Sequence, residues 1–375
     1  MVETGLDVFL ESPDVYGAVG LLATVASQTC DGVTALRALR DYGVNVSAVF
    51  APEHGYFGIG AAGDHIQDDL FGTVPLYSLY GERRSPSSEV LRSLNTVIID
   101  LQDVGVRWYT FLATIIYTLR ACQAAGVPVL LLDRPNPLGG VVVEGIRATK
   151  DFFSIVAPAP VPIRYGLTLG EAVLLLNEEI GAQLDVIPMR GWRREMFYAE
   201  TGLLWSATSP AMPDPITALV YSGTCLLEGL NISEGRGTAL PFTQIGAPFV
   251  ESEALAEVMN GLGLKGAVFR PCWFMPSFGK YAGERCGGVR IFVTDPSNYK
   301  GFAAGLHLIA ALRAMYPSEV RFLEQDGRYW FDMLTGSPYL RRAFENGATV
   351  AEMLEVCEEE SRAFQAASTT FWLYE

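Results

Sequence analysis

The sequence predicts an α/β fold: a Rossmann-like open parallel sheet followed by a smaller C-terminal α+β domain. Over the first 140 residues, short and nearly continuous apolar runs alternate with helical patterns. This alternation is typical of a parallel sheet that helices cover on both faces. The chain has 375 residues, and at roughly 100–200 residues per domain this length favours two domains. We therefore predict a Rossmann-like domain at 1–250 and a smaller domain at 251–375.

Five apolar runs in the first part have the length and composition of buried strands. They lie at 18–27, 46–55, 73–81, 96–105 and 127–137. Helical spacing of apolar residues predicts three helices between these runs, the third of them capped by Thr110. The helices are predicted at 34–43, 87–95 and 110–126.

The pattern is less regular beyond residue 140. Thr168 with Glu171 three residues later forms a capping-box signature at the start of an amphipathic helix, and 184–192 reads as a strand that leads into a turn. Residues 205–248 are rich in Gly, Pro, Ser and Thr, so we expect little regular structure and a functional loop there. The last part predicts a helix at 252–262, strands within 266–294 and a helix at 301–315.

Composition excludes several classes of protein. With 27 Lys and Arg against 42 Asp and Glu, the net charge of -15 argues against nucleic acid as a partner. The six cysteines form no CxxC pair, which argues against a zinc ribbon. The apolar window 111–132 contains Arg120 and is interrupted by Pro128, so no membrane span is predicted. The opening segment lacks signal-peptide features, so we expect a cytoplasmic protein, or an exported one if the chain was trimmed.

Polar and charged side chains follow several of the predicted strands. Because ligands of open α/β sheets bind outside the carboxyl ends of the strands, we expect these side chains to meet at one edge. Asp133 and Arg134 also permit a simpler interpretation, in which they pair with each other or cap loops. The residues after the second, fourth and fifth strands are Glu53, His54, Asp103, Arg107, Tyr109, Asp133, Arg134 and Asn136.

The remaining motifs favour carboxylate chemistry. GIGAAG (58–63) matches the glycine pattern of dinucleotide sites, but neither a directly preceding strand nor an apolar helix flanks it, so no nucleotide cofactor is expected. His and Asp residues between 54 and 69 lie in a loop-like segment, and no metal is expected. Since no G-x-S-x-G elbow is present, the carboxylates remain as the reactive groups, and paired carboxylates cleave glycosidic bonds. In SEGRGT (233–238), Arg236 is placed to hold a carboxylate, unless the segment is an ordinary turn.

A series of longer strings then identifies a family. They occur in order along nearly the whole chain, and together they closely resemble the bacterial exo-β-N-acetylmuramidase family. The resemblance implies an enzyme that removes terminal N-acetylmuramic acid from the non-reducing end of peptidoglycan fragments, in a cleft between two domains, without metal or nucleotide. The strings are APEHGYFG (51–58), SLYG (78–81), DLQDVGVRWYT (100–110), LDRPNPLGG (132–140), PIRYGLTLGE (162–171), YSGTCLLEGLNISEGRGT (221–238) and PFTQIGAP (241–248).

The resemblance also implies roles for individual residues. Glu53 corresponds to the leading catalytic candidate, and we expect it to act as general acid, partly desolvated so that it holds a proton. The second catalytic group is Asp103, Glu144, Glu234 or the acetamido group of the substrate. One arginine among Arg107, Arg134, Arg164 and Arg236 is expected to bind the lactyl carboxylate of a muramyl saccharide. The other predicted contacts to the sugar are His54, Tyr109, Asp133, Asn136 and Tyr165.

Two alternatives and four departures from the family pattern remain. The alternatives are a peptidoglycan- or sugar-binding protein without turnover, and a nucleotide-dependent oxidoreductase or transferase. The departures bear on the preferred saccharide, because they place different side chains where the family usually has Asn, His, Asn and Thr. They are Ser27, Tyr165, Ala211 and Leu230.

Overall fold

A computed structural model describes residues 1–15 and 17–375 of the chain. Its first part is built on a sheet of seven strands, which includes the five runs predicted above and the predicted strand at 184–192. The strands are β1 (Val19–Ala23), β2 (Val46–Ala51), β3 (Asp69–Phe71), β4 (Val74–Ser78), β5 (Thr96–Asp100), β6 (Val129–Leu132) and β7 (Leu184–Ile187).

The order of the strands is β3-β4-β2-β1-β5-β6-β7. The chain runs from β1 to β2 and β4 on one side, and from β5 to β6 and β7 on the other, so the order reverses between β1 and β5. The carboxyl ends beside such a reversal are where open α/β sheets bind ligands. The antiparallel edge strand β3 was not predicted, because its three residues are all exposed and carry no apolar pattern.

Helices cover this sheet and confirm the helical predictions. The predicted capping box is present: the amide of Glu171 donates to Thr168 Oγ1 at 3.2 Å, and the amide of Thr168 donates to Glu171 Oε2 at 3.0 Å. In the described part of the chain, no helix combines the length and apolarity that crossing a bilayer requires. The helices are α1 (Gly5–Leu10), α2 (Ala35–Asp41), α3 (Ser88–Leu91), α4 (Phe111–Ala125) and α5 (Leu169–Ile180).

The second part of the chain, which begins at residue 215, contains a three-stranded antiparallel sheet packed against helices. Its middle strand, Cys286–Val293, pairs with Gln244–Ala247 on one side and with Ala267–Phe274 on the other. The predicted helices at 252–262 and 301–315 are confirmed, as are the strands within 266–294. Its elements are α6 (Pro215–Thr224), β8 (Gln244–Ala247), α7 (Ser252–Gly261), β9 (Ala267–Phe274), β10 (Cys286–Val293), α8 (Gly301–Met315), β11 (Glu324–Gln325), β12 (Arg328–Tyr329), α9 (Trp330–Thr335), α10 (Tyr339–Glu345) and α11 (Val350–Ser368).

The prediction of little regular structure at 205–248 is wrong, because α6 and β8 lie within it. Asp214 caps the start of helix α6, because its side chain accepts from the amide of Thr217. Pro215 is the first residue of the helix. Its small residues permit close packing on α8, since a Cβ on Gly223 would lie 1.8 Å from the carbonyl oxygen of Gly301. The glycine that suggested a loop therefore serves a helix crossing. The domain boundary near residue 250 stays a prediction, although α6 and β8 already pack with the second sheet.

The two parts are joined through the segment that follows β5. The buried guanidinium of Arg107 donates to the carbonyls of Ile146 and Val161 in the first part, and to those of Leu334 and Thr335 in α9. Trp108 Nε1 donates to the same Leu334 carbonyl at 2.6 Å. Burial lowers the pKa of Arg107, but four carbonyl dipoles hold the cation in place.

Replacing Arg107 with Met should destabilise the protein by roughly 3 kcal/mol or more, because several buried carbonyls lose their donor. The measurement is urea unfolding, and the matched control is Arg147→Met, which removes a half-exposed ion pair with Glu360 at 3.8 Å. That control should change the free energy of unfolding by less than about 1 kcal/mol. Equal losses in the two variants would show that Arg107 does not join the parts.

Candidate active site

A cavity of about 290 Å³ lies between the two parts of the chain, next to residues that follow β2, β4 and β5. Residues of both parts line this central cavity. Among them are two carboxylates, one arginine, one histidine and several aromatic rings. The lining residues that bear on its chemistry are Glu53, His54, Tyr80, Tyr109, Thr110, Glu228, Arg236 and Trp330.

Glu53 follows the end of β2 by two residues, and its carboxylate is fixed by donors from other segments. The amide of Gly63 donates to Oε1 at 2.9 Å, and Thr110 Oγ1 donates to Oε2 at 2.7 Å. Thr110 was predicted to cap α4, but its hydroxyl makes no cap bond and contacts Glu53 instead. The side chain is 6% exposed and lines the central cavity. Glu53 is thus immobilised while it still faces a space that a ligand can fill.

The GIGAAG segment (58–63) folds over Glu53 and His54. Besides the Gly63 amide, it supplies the carbonyl of Gly60, which lies 2.9 Å from His54 Nδ1 and accepts a hydrogen bond from it. Burial lowers the pKa of His54, although the neighbouring charge of Glu53 opposes this shift. The imidazole is therefore neutral at neutral pH, with Nε2 left as an acceptor. No helix follows these glycines, so they lack the strand-turn-helix context of a dinucleotide site.

Two tyrosines complete this wall of the central cavity. Tyr80 lines the central cavity together with Glu53, and burial together with the charge of Glu53 raises the pKa of Tyr80 to about 12. The hydroxyl of Tyr109 donates to Thr208 Oγ1 at 2.6 Å, and burial raises the pKa of Tyr109 as well. Both phenols are therefore protonated at neutral pH, and the hydroxyl hydrogen of Tyr109 is already donated to Thr208.

The lining of the central cavity also contains an arginine that lies between two carboxylates. Arg236 Nη2 lies 2.8 Å from Glu228 Oε1, and its Nε lies 3.6 Å from Glu234 Oε1. The guanidinium stacks over the ring of Phe242 at 4.8 Å from the ring centre. Burial lowers the pKa of Arg236, but the charges of Glu228 and Glu234 outweigh burial and raise the pKa above its ordinary value. Arg236 is the one arginine among the described residues that line the central cavity.

None of the other predicted acids lines the central cavity, and each of them pairs with other residues of the protein. Asp103 accepts from the hydroxyl of Tyr165 and from the amide of Gly105, and burial raises the pKa of Asp103 to about 6. Glu144 pairs with Arg164 at 3.2 Å, and Glu234 pairs with Lys280 at 3.1 Å. Asp103, Glu144 and Glu234 are absent from the described lining of the central cavity. Their catalytic roles stay predictions that no cavity contact supports.

Several predicted sugar contacts are likewise bonded within the protein. The side chain of Arg134 pairs with Asp100 and not with Asp133. Asp133 has the capping role that the simpler interpretation also allowed, since it accepts from the amides of Arg134 at 3.0 Å and Gly170 at 2.8 Å. It also accepts from Thr168 Oγ1 at 2.6 Å and from the hydroxyl of Tyr374 at 2.7 Å. Asn136 joins the amide of Leu138 to the carbonyl of Leu167. Together with Arg107, Arg164 and Tyr165, these side chains brace the rim of the sheet and do not line the central cavity.

The structure therefore brings Glu53, His54, Tyr109 and Arg236 together, and adds residues that the sequence reasoning missed. Tyr80 and Glu228 lie in strings that carried the family resemblance, SLYG and YSGTCLLEGLNISEGRGT, but neither was singled out. Thr110 was interpreted only as a helix cap. The available signal was their place within these strings, because no periodic pattern distinguishes a cavity-lining Tyr or Glu from an exposed one.

In the acidic loop considered for metal binding, carboxylates are bonded to nearby residues of the protein. The amide of Ala61 donates to Asp64 Oδ2 at 2.9 Å, and Asp68 pairs with Arg83 at 2.6 Å. Within residues 1–15 and 17–375, no three His, Cys, Asp or Glu side chains gather in a geometry suited to a metal ion.

Comparison with known proteins gives consistent matches over the whole chain. Family models described as exo-beta-N-acetylmuramidase NamZ match it twice, the N-terminal model at residues 19–216 and the C-terminal model at residues 219–374. A Bacillus subtilis protein, the peptidoglycan beta-N-acetylmuramidase NamZ, is 37% identical over 384 residues, which span 100% of this chain and 91% of that protein.

Solved structures show the same fold. Two crystal structures of DUF1343 family proteins from Bacteroides fragilis superpose over 100% of this chain and 99% of their own. One has a TM-score of 0.91 at 29% sequence identity, and the other a TM-score of 0.77 at 26% identity. The Rossmann-like sheet with its smaller second domain is thus a fold that these proteins share.

Proposed function

We propose, from the premise that this chain belongs to the exo-β-N-acetylmuramidase NamZ family, that it releases terminal N-acetylmuramic acid from the non-reducing end of peptidoglycan fragments. The protein is a glycosidase that acts on a peptidoglycan-derived muramyl saccharide. The observation that carries the assignment is Glu53, a buried carboxylate held by Gly63 and Thr110 at the wall of the central cavity. A binding protein without turnover is not favoured, because the full-length relative is itself named as an enzyme.

Glu53 acts as the general acid that protonates the leaving glycosidic oxygen. Its contacts suit this task. Gly63 can only donate to Oε1, whereas the hydroxyl group of Thr110 can either donate or accept. The carboxyl group can therefore hold a proton and release it without losing its neighbours, and it returns to the same position after each turnover.

Arg236 binds the lactyl carboxylate of the terminal sugar. The other three candidate arginines are 0–5% exposed and are bonded to carbonyls or carboxylates of the protein. Arg236 is 23% exposed in its side chain and remains charged in the central cavity. Its ion pair with Glu228 fixes the guanidinium, and the remaining N–H groups are free to grip a carboxylate.

Glu228 is the second catalytic carboxylate, because it faces the same central cavity as Glu53 whereas Asp103, Glu144 and Glu234 do not. Such a group either activates a water molecule or orients the acetamido group of the substrate for attack on the sugar carbon. Arg236 at 2.8 Å keeps Glu228 in one position.

Replacing Glu53 with Gln should lower the release of muramic acid by about 1,000-fold or more, because the proton donor is lost while the shape of the side chain is kept. Folding should be unchanged, since the amide oxygen still accepts from Gly63. The assay is mass spectrometry of a muramyl-glucosamine disaccharide after incubation, with the exposed Glu89→Gln as control. Turnover near the wild-type rate in the Glu53 variant would remove Glu53 from the mechanism.

Replacing Arg236 with Met should lower kcat/KM on both sugars, because Glu228 loses its partner, and about 100-fold more on muramyl substrates than on glucosaminyl substrates, which lack the lactyl carboxylate. Met keeps the apolar stem over Phe242. The exposed Arg37→Met, 77% exposed in its side chain, controls for the change of net charge. An equal loss on both sugars would show that Arg236 supports the site without reading the lactyl group.

Replacing Glu228 with Gln should lower kcat about 100-fold, whereas Glu234→Gln, in the same segment but outside the central cavity, should cost far less. A larger loss in the Glu234 variant would reverse the assignment. The configuration of the first product, followed by NMR, separates the two roles of Glu228. Net inversion indicates that it activates water, and net retention indicates that the acetamido group attacks.

A further inference from the structure

A second cavity, of about 410 Å³, adjoins the central cavity and opens beside it. The two share His54, Ala62, Ala211 and Arg236 in their walls. This side cavity is completed by Thr238 and Phe278. A ligand that fills the central cavity can therefore continue into the side cavity without leaving the protein surface.

The shared wall lies on the same side as the proposed acid. His54 directly follows Glu53, and Ala62 directly precedes Gly63, whose amide donates to the carboxylate of Glu53. A general acid must reach the oxygen atom that links the terminal sugar to the rest of the chain. The rest of the saccharide therefore leaves the central cavity past Glu53, which is the direction of the side cavity.

A third cavity also adjoins the central one, but it shares a different wall. It shares Glu228 and Trp330, and its lining includes neither Glu53 nor a residue next to Glu53 or Gly63 in sequence. An aglycone that left in that direction would place the glycosidic oxygen beside Glu228, and not beside the group whose hydrogen bonds suit a proton donor.

Phe278 forms an exposed face of the side cavity, and it lies on a loop that several hydrogen bonds hold in place. Its side chain is 55% exposed, yet Ser277 donates from both its amide and its hydroxyl to the carbonyl of Gly237, each at 2.8 Å. Lys280 Nζ donates to the carbonyl of Leu227 at 2.8 Å. Gly237 has a φ of +80°, and a Cβ there would lie 2.5 Å from the carbonyl oxygen of Phe278. The loop that carries Phe278 is thus packed directly against the residue after Arg236.

We infer that the side cavity is the aglycone subsite, and that the ring of Phe278 packs against the apolar face of the N-acetylhexosamine that follows the terminal sugar. This inference rests on the proposed function and assigns it a second sugar position. A pyranose presents axial C–H groups on one face, and an aromatic ring held at the edge of a polar cleft is suited to cover them. Folding already fixes the backbone of the loop that carries this ring, so little backbone freedom is lost when the sugar binds.

The experiment compares two substrates that differ only in the leaving group. One is the muramyl-glucosamine disaccharide, which fills both positions, and the other is β-N-acetylmuramyl fluoride, whose leaving group is too small to reach the side cavity. In Phe278→Ala, the ratio of kcat/KM on the disaccharide to that on the fluoride should fall about tenfold, because the sugar loses its apolar platform. Phe278→Tyr should restore the wild-type ratio, since it keeps the ring.

The matched control is Trp273→Ala. Trp273 is 59% exposed on the neighbouring strand β9 and lines neither cavity among the described residues, so its variant should keep the wild-type ratio. If Phe278→Ala also keeps that ratio while the wild-type enzyme hydrolyses both substrates, the subsite assignment is overturned and the proposed function stands. If the wild-type protein hydrolyses neither substrate, the proposed function fails, and this inference fails with it.

Discussion

The site depends on how the carboxylate of Glu53 is held. Its hydrogen bonds come from the loop that contains Gly63 and from Thr110 at the start of α4. These segments follow different strands of one sheet, and parallel strands deliver their carboxyl ends to the same edge. Because the fold places both donors before a substrate arrives, Glu53 needs no rearrangement when the substrate binds. The position of Glu53 is therefore a consequence of strand order and not of any single motif.

The same edge explains why most of its charged residues do not contact a ligand. A buried guanidinium or carboxylate is costly unless its hydrogen bonds are satisfied. Arg107 is surrounded by carbonyls, Arg134 pairs with Asp100, and Arg164 pairs with Glu144. These groups fix the rim and the junction between the two parts, so that the central cavity keeps its shape. In a chain with a net charge of -15, an anionic sugar requires a local cation, and the cation that remains in the central cavity is Arg236.

The sequence was sufficient for every strand of the seven-stranded sheet except β3, for most helices and for the location of Glu53, because periodicity and strand ends depend on local pattern and topology. It was insufficient wherever the outcome depended on side-chain direction. Arg107 and Arg236 look alike in sequence, yet one points into the protein and the other into the central cavity. Thr110 lies at the start of α4, but its hydroxyl donates a hydrogen bond to the carboxylate of Glu53 and does not cap the helix. Composition also concealed α6, since its small residues serve a close helix crossing and were interpreted as loop formers.

The GIGAAG segment contacts an acidic group, as glycine runs in nucleotide sites do, but this group is a side chain of the protein and not a phosphate. Glycine runs bind phosphates because the backbone can approach closely and point N–H groups at an anion. Here the run approaches Glu53, and the anion that Gly63 contacts belongs to the protein itself. A Cβ at Gly60 would lie 2.7 Å from the end of the Ile66 side chain, which would have to shift to make room. His54 adopts a φ of +74°, a conformation that costs a residue with a side chain roughly 1–3 kcal/mol. Its hydrogen bond to the carbonyl of Gly60 holds it there. The loop therefore holds the carboxyl group of Glu53 through Gly63 and the imidazole of His54 through Gly60. This role explains its glycines without a bound nucleotide.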